Sequence, residues 1–319
     1  MTKANARTPF WDRTAFGLTG ALIVLLLGGL FLPQWLSFFT NALYLSIVAL
    51  GMALLMRTGL VSFGQGLYFC LGAYAAGTLD HFWKVSDLLV AIIAGGLLAA
   101  LVAAILGMLL AKYRDIFFAM LSLAFSMILY GLLVKTSELG STDGFGLSVK
   151  TFAGMALGPR TRYAIFAVAA VLACACAMFM HRYFNSHLGR LATAIRDNEL
   201  RVEYMGESVR RVIHLNYVIS AALAGIGGVL MASAIGHVDP ETTANWTISG
   251  EFVFITILGG TGSVFAPFFG ATIFEAVRTY AVAHFPNTWQ MTLGITMLLV
   301  MIFLPGGLWS AFRARRRAA

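Results

Sequence analysis

Six apolar runs, each about as long as a lipid bilayer is thick, limit what this chain can become: about 14–32, 36–56, 88–111, 115–134, 162–180 and 213–235. A helix needs roughly 20 apolar residues to cross a hydrocarbon core of about 30 Å. Two further runs, about 265–283 and 289–305, come close to that length. Two more are irregular. The stretch 59–79 is interrupted near its start by Gly59, Ser62, Gly64, Gln65 and Gly66, and 247–260 is short and runs into the turn-like GGTGS of 259–263. Broken backbone survives at membrane depth only where protein or a water-filled path covers it. Counted as crossings, the ten segments make an all-α polytopic membrane protein: one transmembrane domain over 1–309, followed by a basic tail at 310–319.

Composition closes off the alternatives. Of 319 residues, 59% are hydrophobic and 11% charged, whereas soluble domains carry about 25% charged residues. A soluble fold has no interior for so much apolar surface, and a disordered chain would be far more polar. The net charge of +8 raises nucleic-acid binding as an option, which would need the basic residues on one soluble face. They sort instead by side of the membrane. With the N-terminus inside, 16 of the 22 Lys and Arg fall in cytoplasmic segments, with six of the 14 acids. That leaves +10 inside and −2 outside, as the positive-inside rule demands. Both termini are expected in the cytoplasm, and no nucleic-acid partner is expected. Lys3, Arg7 and Arg13 before the first run resemble a signal peptide, but no small-residue cleavage site follows, so an uncleaved first helix is expected.

Chemistry-bearing patterns are sparse. Cys70, Cys174 and Cys176 lie in apolar runs without a CxxC, and the six histidines form no HxxxH or HExxH, so neither metal nor cofactor is expected. No GxxxxGK[ST] is present, nor a nucleophile–base pair or paired carboxylates, so the chain is expected to be no enzyme and to bind no ATP itself. Small residues recur at helical spacing, Ala99 with Ala103 and Gly107, Ala221 with Gly225, and Ala224 with Gly228. Such ridges let membrane helices approach closely. Glu275 and Arg278, three residues apart within a span, are expected to pair with each other; a proton relay would need more groups at that depth. Ser62, Gly64, Gln65 and Gly66 at one break, and Thr256, Gly259, Gly260 and Ser263 at the other, are the candidates for a polar path, because freed backbone and small polar side chains at broken helices contact polar solutes.

The longest cytoplasmic loop, about 181–212, carries Leu188, Leu191, Ala194 and Ile195 on one helical face. A second short turn through Leu200, Val202 and Met205 ends at Gly206, a suitable C-terminal cap. Its apolar faces admit two covers, a lipid surface or a groove on a cytoplasmic partner. Asp197, Glu199, Glu203 and Glu207 weigh against a purely lipid-facing helix. On the outer side, Asp143 in a Gly/Ser-rich turn, together with Asp239 and Glu241, forms an acidic rim.

Seven segments resemble one family in order along the chain: GLVSFGQGLYFCLGAYAAG (59–77), STDGFG (141–146), LGRLATAIRDNELRVEYMG (188–206), VISAALAGIGG (218–228), DPETTANWTISGE (239–251), ILGGTGSVFAPFFGA (257–271) and FLPGGLW (303–309). The family is the LivM-type permease subunit of branched-chain amino acid ABC importers; Cys70 and Ala266 stand where it often has glycine. The resemblance implies a multi-pass subunit of the bacterial inner (plasma) membrane. It implies a second, similar permease, two cytoplasmic ATPase subunits and a periplasmic substrate-binding protein as partners, with ATP-driven alternating access as mechanism. It also implies that the loop 181–212 couples to the ATPase through Gly189, Arg190, Arg196, Glu199 and Gly206, and that Asp143, Asp239 and Glu241 meet the binding protein. Two other readings stay open: the same machine carrying urea, amides or aromatic acids, and an ion-coupled secondary transporter acting alone.

Overall fold

The computed structural model describes residues 13–31, 33–156, 158, 161–303 and 307–309. The tail at 310–319 and the basic residues Lys3 and Arg7 lie outside the described residues. Helices stand on all ten expected segments: α1 (Arg13–Phe31), α2 (Leu36–Arg57), α3 (Gln65–His81), α4 (Leu88–Leu110), α5 (Asp115–Lys135), α6 (Thr161–Asn185), α9 (Val209–Ile235), α11 (Trp246–Gly259), α12 (Ala266–His284) and α13 (Trp289–Phe303). The short helices α7 (His187–Asp197) and α8 (Glu199–Tyr204) join α6 to α9, and α10 (Pro240–Thr243) precedes α11. Four two-residue strands, β1 (Phe145–Gly146), β2 (Thr151–Phe152), β3 (Met155–Ala156) and β4 (His237–Val238), and two 3-10 turns, Pro33–Trp35 and Ser137–Leu139, complete the described elements. Five of the helices, α2, α4, α5, α6 and α9, are long and apolar enough to cross a membrane. The chain is an all-α polytopic membrane protein.

Caps mark where the helices begin. Asp87 accepts from Leu89 N and Val90 N at the head of α4, Ser186 from Gly189 N at α7, Asn198 from Arg201 N at α8, and Ser208 from Arg211 N at α9. Each acceptor satisfies one of the backbone donors that a helix start leaves open. Gly206, at φ +84°, follows α8 in the left-handed region that glycine enters without a Cβ penalty.

α9 is the central element: it packs on α4, α3 and α2, while α12 and α6 close on α2. The α3–α4–α9 crossings are held at backbone contact distance by glycines. A Cβ at Gly228 would lie 1.9 Å from Phe69 O, and one at Gly72 2.0 Å from Gly225 O. Gly225 in turn faces Ala99 and the Gly95 carbonyl. The small-residue ridges on 99–107 and 221–228 thus meet one another, with Gly72 of α3 between them.

Successive long helices alternate in direction, and contacts between loops respect that alternation. At one end, β1 pairs antiparallel with β4 (Phe145 with Val238, Gly146 with His237), β2 with β3, and Asp80 accepts from Ser148 N at 2.9 Å and from Ser86. Asp87 also accepts from Ala153 N and Gly154 N. Partial burial pushes the Asp87 carboxyl up, but the bonds from Gly154, Val90, Leu89 and Ala153 outweigh it and hold the group below the ordinary carboxylate range. At the other end, Arg114 pairs with Glu199 at 2.6 Å, Arg210 donates to Met108 O at 2.9 Å, and Arg57 donates to Thr261 O at 2.8 Å.

Candidate functional site

The glycine breaks place the expected path residues in two separate locations. Residues 59–64 are not helical, and α3 starts only at Gln65. There Ser62 Oγ accepts from Gly64 N at 3.2 Å, Gln65 Nε2 donates to Ser220 Oγ at 2.7 Å, and Gly66 N donates to Ser249 Oγ at 2.9 Å. Ser122 of α5 accepts from Phe63 N, and its carbonyl would lie 2.8 Å from a Cβ at Gly64. Four helices thereby close a polar centre in which Ser62, Gln65, Ser122, Ser220 and Ser249 are all buried. Gln65 Oε1 has no partner there, and an unmet buried acceptor costs about 1–3 kcal/mol.

Thr256, Gly259, Gly260 and Ser263 lie elsewhere, at the end of α11 and the turn into α12. Thr256 Oγ1 donates to Phe252 O at 2.8 Å, and Ser263 Oγ accepts from Phe265 N at 3.3 Å. A Cβ at Gly259 would lie 2.2 Å from Ala266 O, so this glycine brings α11 and α12 together. Gly260 has φ +93°, and its N–H donates to Thr256 O at 2.8 Å. Arg57 ties this turn to α2 and lies 3.7 Å over the Phe184 ring.

Sequence reasoning missed the partners that the centre recruits. Ser122 and Ser126 on α5, and Asn216 and Ser220 on α9, are spaced four apart in otherwise apolar helices, which is the pattern that would have found them. Tyr68 OH and Tyr217 OH bond at 2.8 Å, and Tyr183 OH donates to Asn216 Oδ1 at 2.5 Å. A buried polar file accompanies α9 through the core.

The intramembrane charges pair differently from the expectation of Glu275 with Arg278. Arg278 Nη1 lies 3.7 Å from Glu251 Oε2, with the guanidinium over the Trp289 ring at 5.7 Å. Glu275 Oε1 instead accepts from Asn41 Nδ2 at 2.8 Å, and its Oε2 is buried without a partner. The physical reason is that α11 and α12 run antiparallel in contact, which brings Glu251 beside Arg278. The two acids should therefore respond oppositely to the same isosteric change. Glu251→Gln strands the Arg278 charge and is expected to cost about 1–3 kcal/mol in thermal unfolding. Glu275→Gln keeps an acceptor for Asn41 and removes a buried carboxyl, and is expected to be neutral or stabilising.

The three outer acids are brought together by the β1–β4 pair. Asp239 accepts from Thr242 N at 2.7 Å and Thr242 Oγ1 at 2.8 Å, and so caps α10. Glu241 is exposed and accepts from Tyr130 OH at 2.7 Å and Asn245 Nδ2 at 2.6 Å. Asp143 is exposed beside them, its carbonyl 3.0 Å from His237 Nε2.

At the opposite end, the apolar face of α7 is covered by the protein itself. Leu191, Ala192 and Ile195 are buried, and α7 packs on α6, α9 and α2. Neither lipid nor a partner is needed to cover that face. Gly189 is a buried packing position, where a Cβ would lie 2.1 Å from Tyr183 O, and Glu199 is half-buried and held by Arg114. Arg190, Arg196 and Gly206 are exposed. Within this loop the exposed apolar surface lies at Leu200, 63% exposed, Tyr204, 89%, and Met205, 72%; of these, Tyr204 lies outside the apolar turn expected from the sequence.

Comparison with known proteins agrees with this architecture. A family model described as branched-chain amino acid transport system / permease component matches residues 34–302. The chain is 30% identical to the high-affinity branched-chain amino acid transport system permease protein LivM of Escherichia coli K12, over 82% of this chain and 67% of that relative. It is 25% identical to a probable LivM of Methanocaldococcus jannaschii, over 90% and 92% of the two chains. The high-affinity branched-chain amino acid transport system permease protein LivH of Salmonella typhimurium is 26% identical over 53% of this chain and 51% of that relative. No solved structure matches significantly. The long apolar helices, the two glycine breaks and these matches together place the chain in the family of permease components of branched-chain amino acid transport systems.

Proposed function

We propose that this chain is the LivM-type permease subunit of an ABC importer of the bacterial inner membrane. It moves branched-chain or related hydrophobic amino acids into the cytoplasm by ATP-driven alternating access. It works with a second, homologous permease, two ATPase subunits and a periplasmic binding protein, and ATP hydrolysis belongs to the ATPases. The resemblance to both LivM and LivH relatives supports a heteromeric pair of permeases. The charge asymmetry supports termini on the cytoplasmic side, which puts α7 and α8 there and the acidic rim of Asp143, Asp239 and Glu241 outside.

The single observation that carries the reading is the α7–α8 tip. α7 is docked on α2, α6 and α9, and α8 is tied through Glu199 to Arg114 at the α4–α5 turn, so a push on the tip reaches five helices of the domain. α8 leaves Leu200, Tyr204 and Met205 uncovered, and an apolar knob on a loop with exposed Arg190, Arg196 and Arg201 suits a groove on a soluble partner. The buried polar centre around Gln65 supports a path that is closed in this conformation. Opening it would let Gln65 Oε1 meet water or solute. Reconstitution tests the reading: with both permeases, the ATPases and the binding protein, vesicles are expected to take up leucine only when ATP is present. Leucine transport by the purified chain alone, driven by a proton or sodium gradient, would overturn it, and uptake of urea, amides or aromatic acids in place of leucine would reassign the cargo.

A further inference from the structure

The starts of α2 and α6 and the end of α9 enclose a cavity of about 280 Å³. Its polar groups are few and differ in kind: the Arg162 guanidinium, the Asn41 amide and the hydroxyls of Ser37 and Thr40. Arg162 makes no ion pair or hydrogen bond with the described residues. Asn41 Nδ2 is committed to Glu275 Oε1, which fixes the amide's orientation and leaves Oδ1 as an acceptor. Thr40 Oγ1 spends its proton on Leu36 O at 2.7 Å and likewise remains an acceptor. The rest of the wall is aliphatic, with Leu36, Ile165 and Ile235.

A permanently charged guanidinium, two oriented acceptors in Asn41 Oδ1 and Thr40 Oγ1, and an aliphatic wall meet at this helix junction. A carboxylate or phosphate alone would leave the Asn41 and Thr40 acceptors facing an anion. An amine alone would face Arg162. A free α-amino acid with a hydrocarbon side chain satisfies all three features, with its carboxylate on Arg162, its ammonium on Asn41 Oδ1 and Thr40 Oγ1, and its side chain against Leu36, Ile165 and Ile235. The volume suits a ligand of that size, at the lower end of small-molecule pockets. We propose that this cavity is a binding site for a free aliphatic α-amino acid on the permease itself. It rests on the reading of the chain as an amino acid permease and adds to it a station near the acidic rim, occupied before the closed polar centre.

The test is equilibrium binding of radiolabelled leucine to the full chain in phosphatidylcholine nanodiscs. Saturable binding is expected. Leucinamide, which lacks the carboxylate, and 4-methylpentanoate, which lacks the ammonium, should each compete about tenfold less well or worse, the factor that one charge-assisted hydrogen bond commands. Arg162→Gln, at an exposed position, should weaken leucine by about tenfold or more and erase its advantage over leucinamide with no change in melting temperature. Thr40→Val should weaken leucine while leaving 4-methylpentanoate unaffected. Absence of saturable binding, equal binding by Arg162→Gln, or displacement of leucine by phosphatidylethanolamine would overturn the site, the last by making it a lipid site. Uptake by the assembled importer separates the two levels: ATP-driven leucine uptake without binding here defeats the site alone, whereas neither uptake nor binding defeats both.

Discussion

Gly228→Val is expected to abolish recovery of folded protein, read as the loss of a monodisperse peak after detergent extraction. A Cβ at this position would sit 1.9 Å from Phe69 O, 2.8 Å from Phe69 C and 3.0 Å from Ala73 N. All three are backbone atoms of α3, so no side chain can rotate away, and the helices would have to separate by more than an ångström. Overpacking usually costs 1–3 kcal/mol, but that figure assumes neighbours able to shift. Here separation of α3 from α9 would also open the contact between Gly72 and Gly225, and dispersion contacts are lost steeply over such gaps. In a bilayer that loss matters more than in water, because lipid tails compete for the same apolar surfaces and packing is most of what holds helices together. Gly131→Ala on α5 is the control: a Cβ there meets nothing within 4 Å, and protein yield is expected to match the unmodified chain.

That contrast shows what could be read from residues alone. Spans are legible because hydrophobic length is a one-dimensional property: the ten helices stand where the apolar runs stand. The delayed start of α3 at Gln65 follows from the cluster of Gly59, Ser62, Gly64 and Gly66 before it. Small-residue spacing marked Gly225 and Gly228 as close-approach positions, and Gly72, which stands between them and α4, has the same spacing with Ala76 on α3, a signal not counted among the expected ridges. Pairings across helices were least legible. Glu275 and Arg278 share a face of α12, and proximity in sequence favoured that pair, but the antiparallel neighbour α11 delivers Glu251 to Arg278 and α2 delivers Asn41 to Glu275. The same limit applied to α7 and α8. Periodicity showed that α7 is amphipathic without showing that its apolar face docks on its own domain. In the six-residue α8 it could not tell that Val202 turns inward while Leu200 and Tyr204 turn outward.

Leu200→Asp combined with Tyr204→Ala is expected to leave the protein folded and membrane-inserted while reducing ATP-dependent uptake by about thirtyfold or more, the loss that a buried aromatic anchor at an interface commands when truncated. The two side chains are 63% and 89% exposed, so their removal should change stability by no more than about 0.5 kcal/mol. Val202→Ala in the same turn provides the contrast. Val202 is 1% exposed, and its truncation is expected to cost stability through the cavity it leaves, with coupling reduced only in proportion to folded protein. Glu199→Gln separates transmission from docking. It removes the charge from the 2.6 Å contact with Arg114, leaving only a neutral acceptor, and keeps the apolar knob in place, so ATPase binding should persist while uptake per ATP hydrolysed falls. Co-purification of the ATPases reads docking, and the ratio of solute moved to ATP hydrolysed reads transmission. Uptake that survives the loss of both Leu200 and Tyr204 with the ATPases still bound would move the energy input away from α8 to the remaining exposed part of the loop, Arg190 and Arg196.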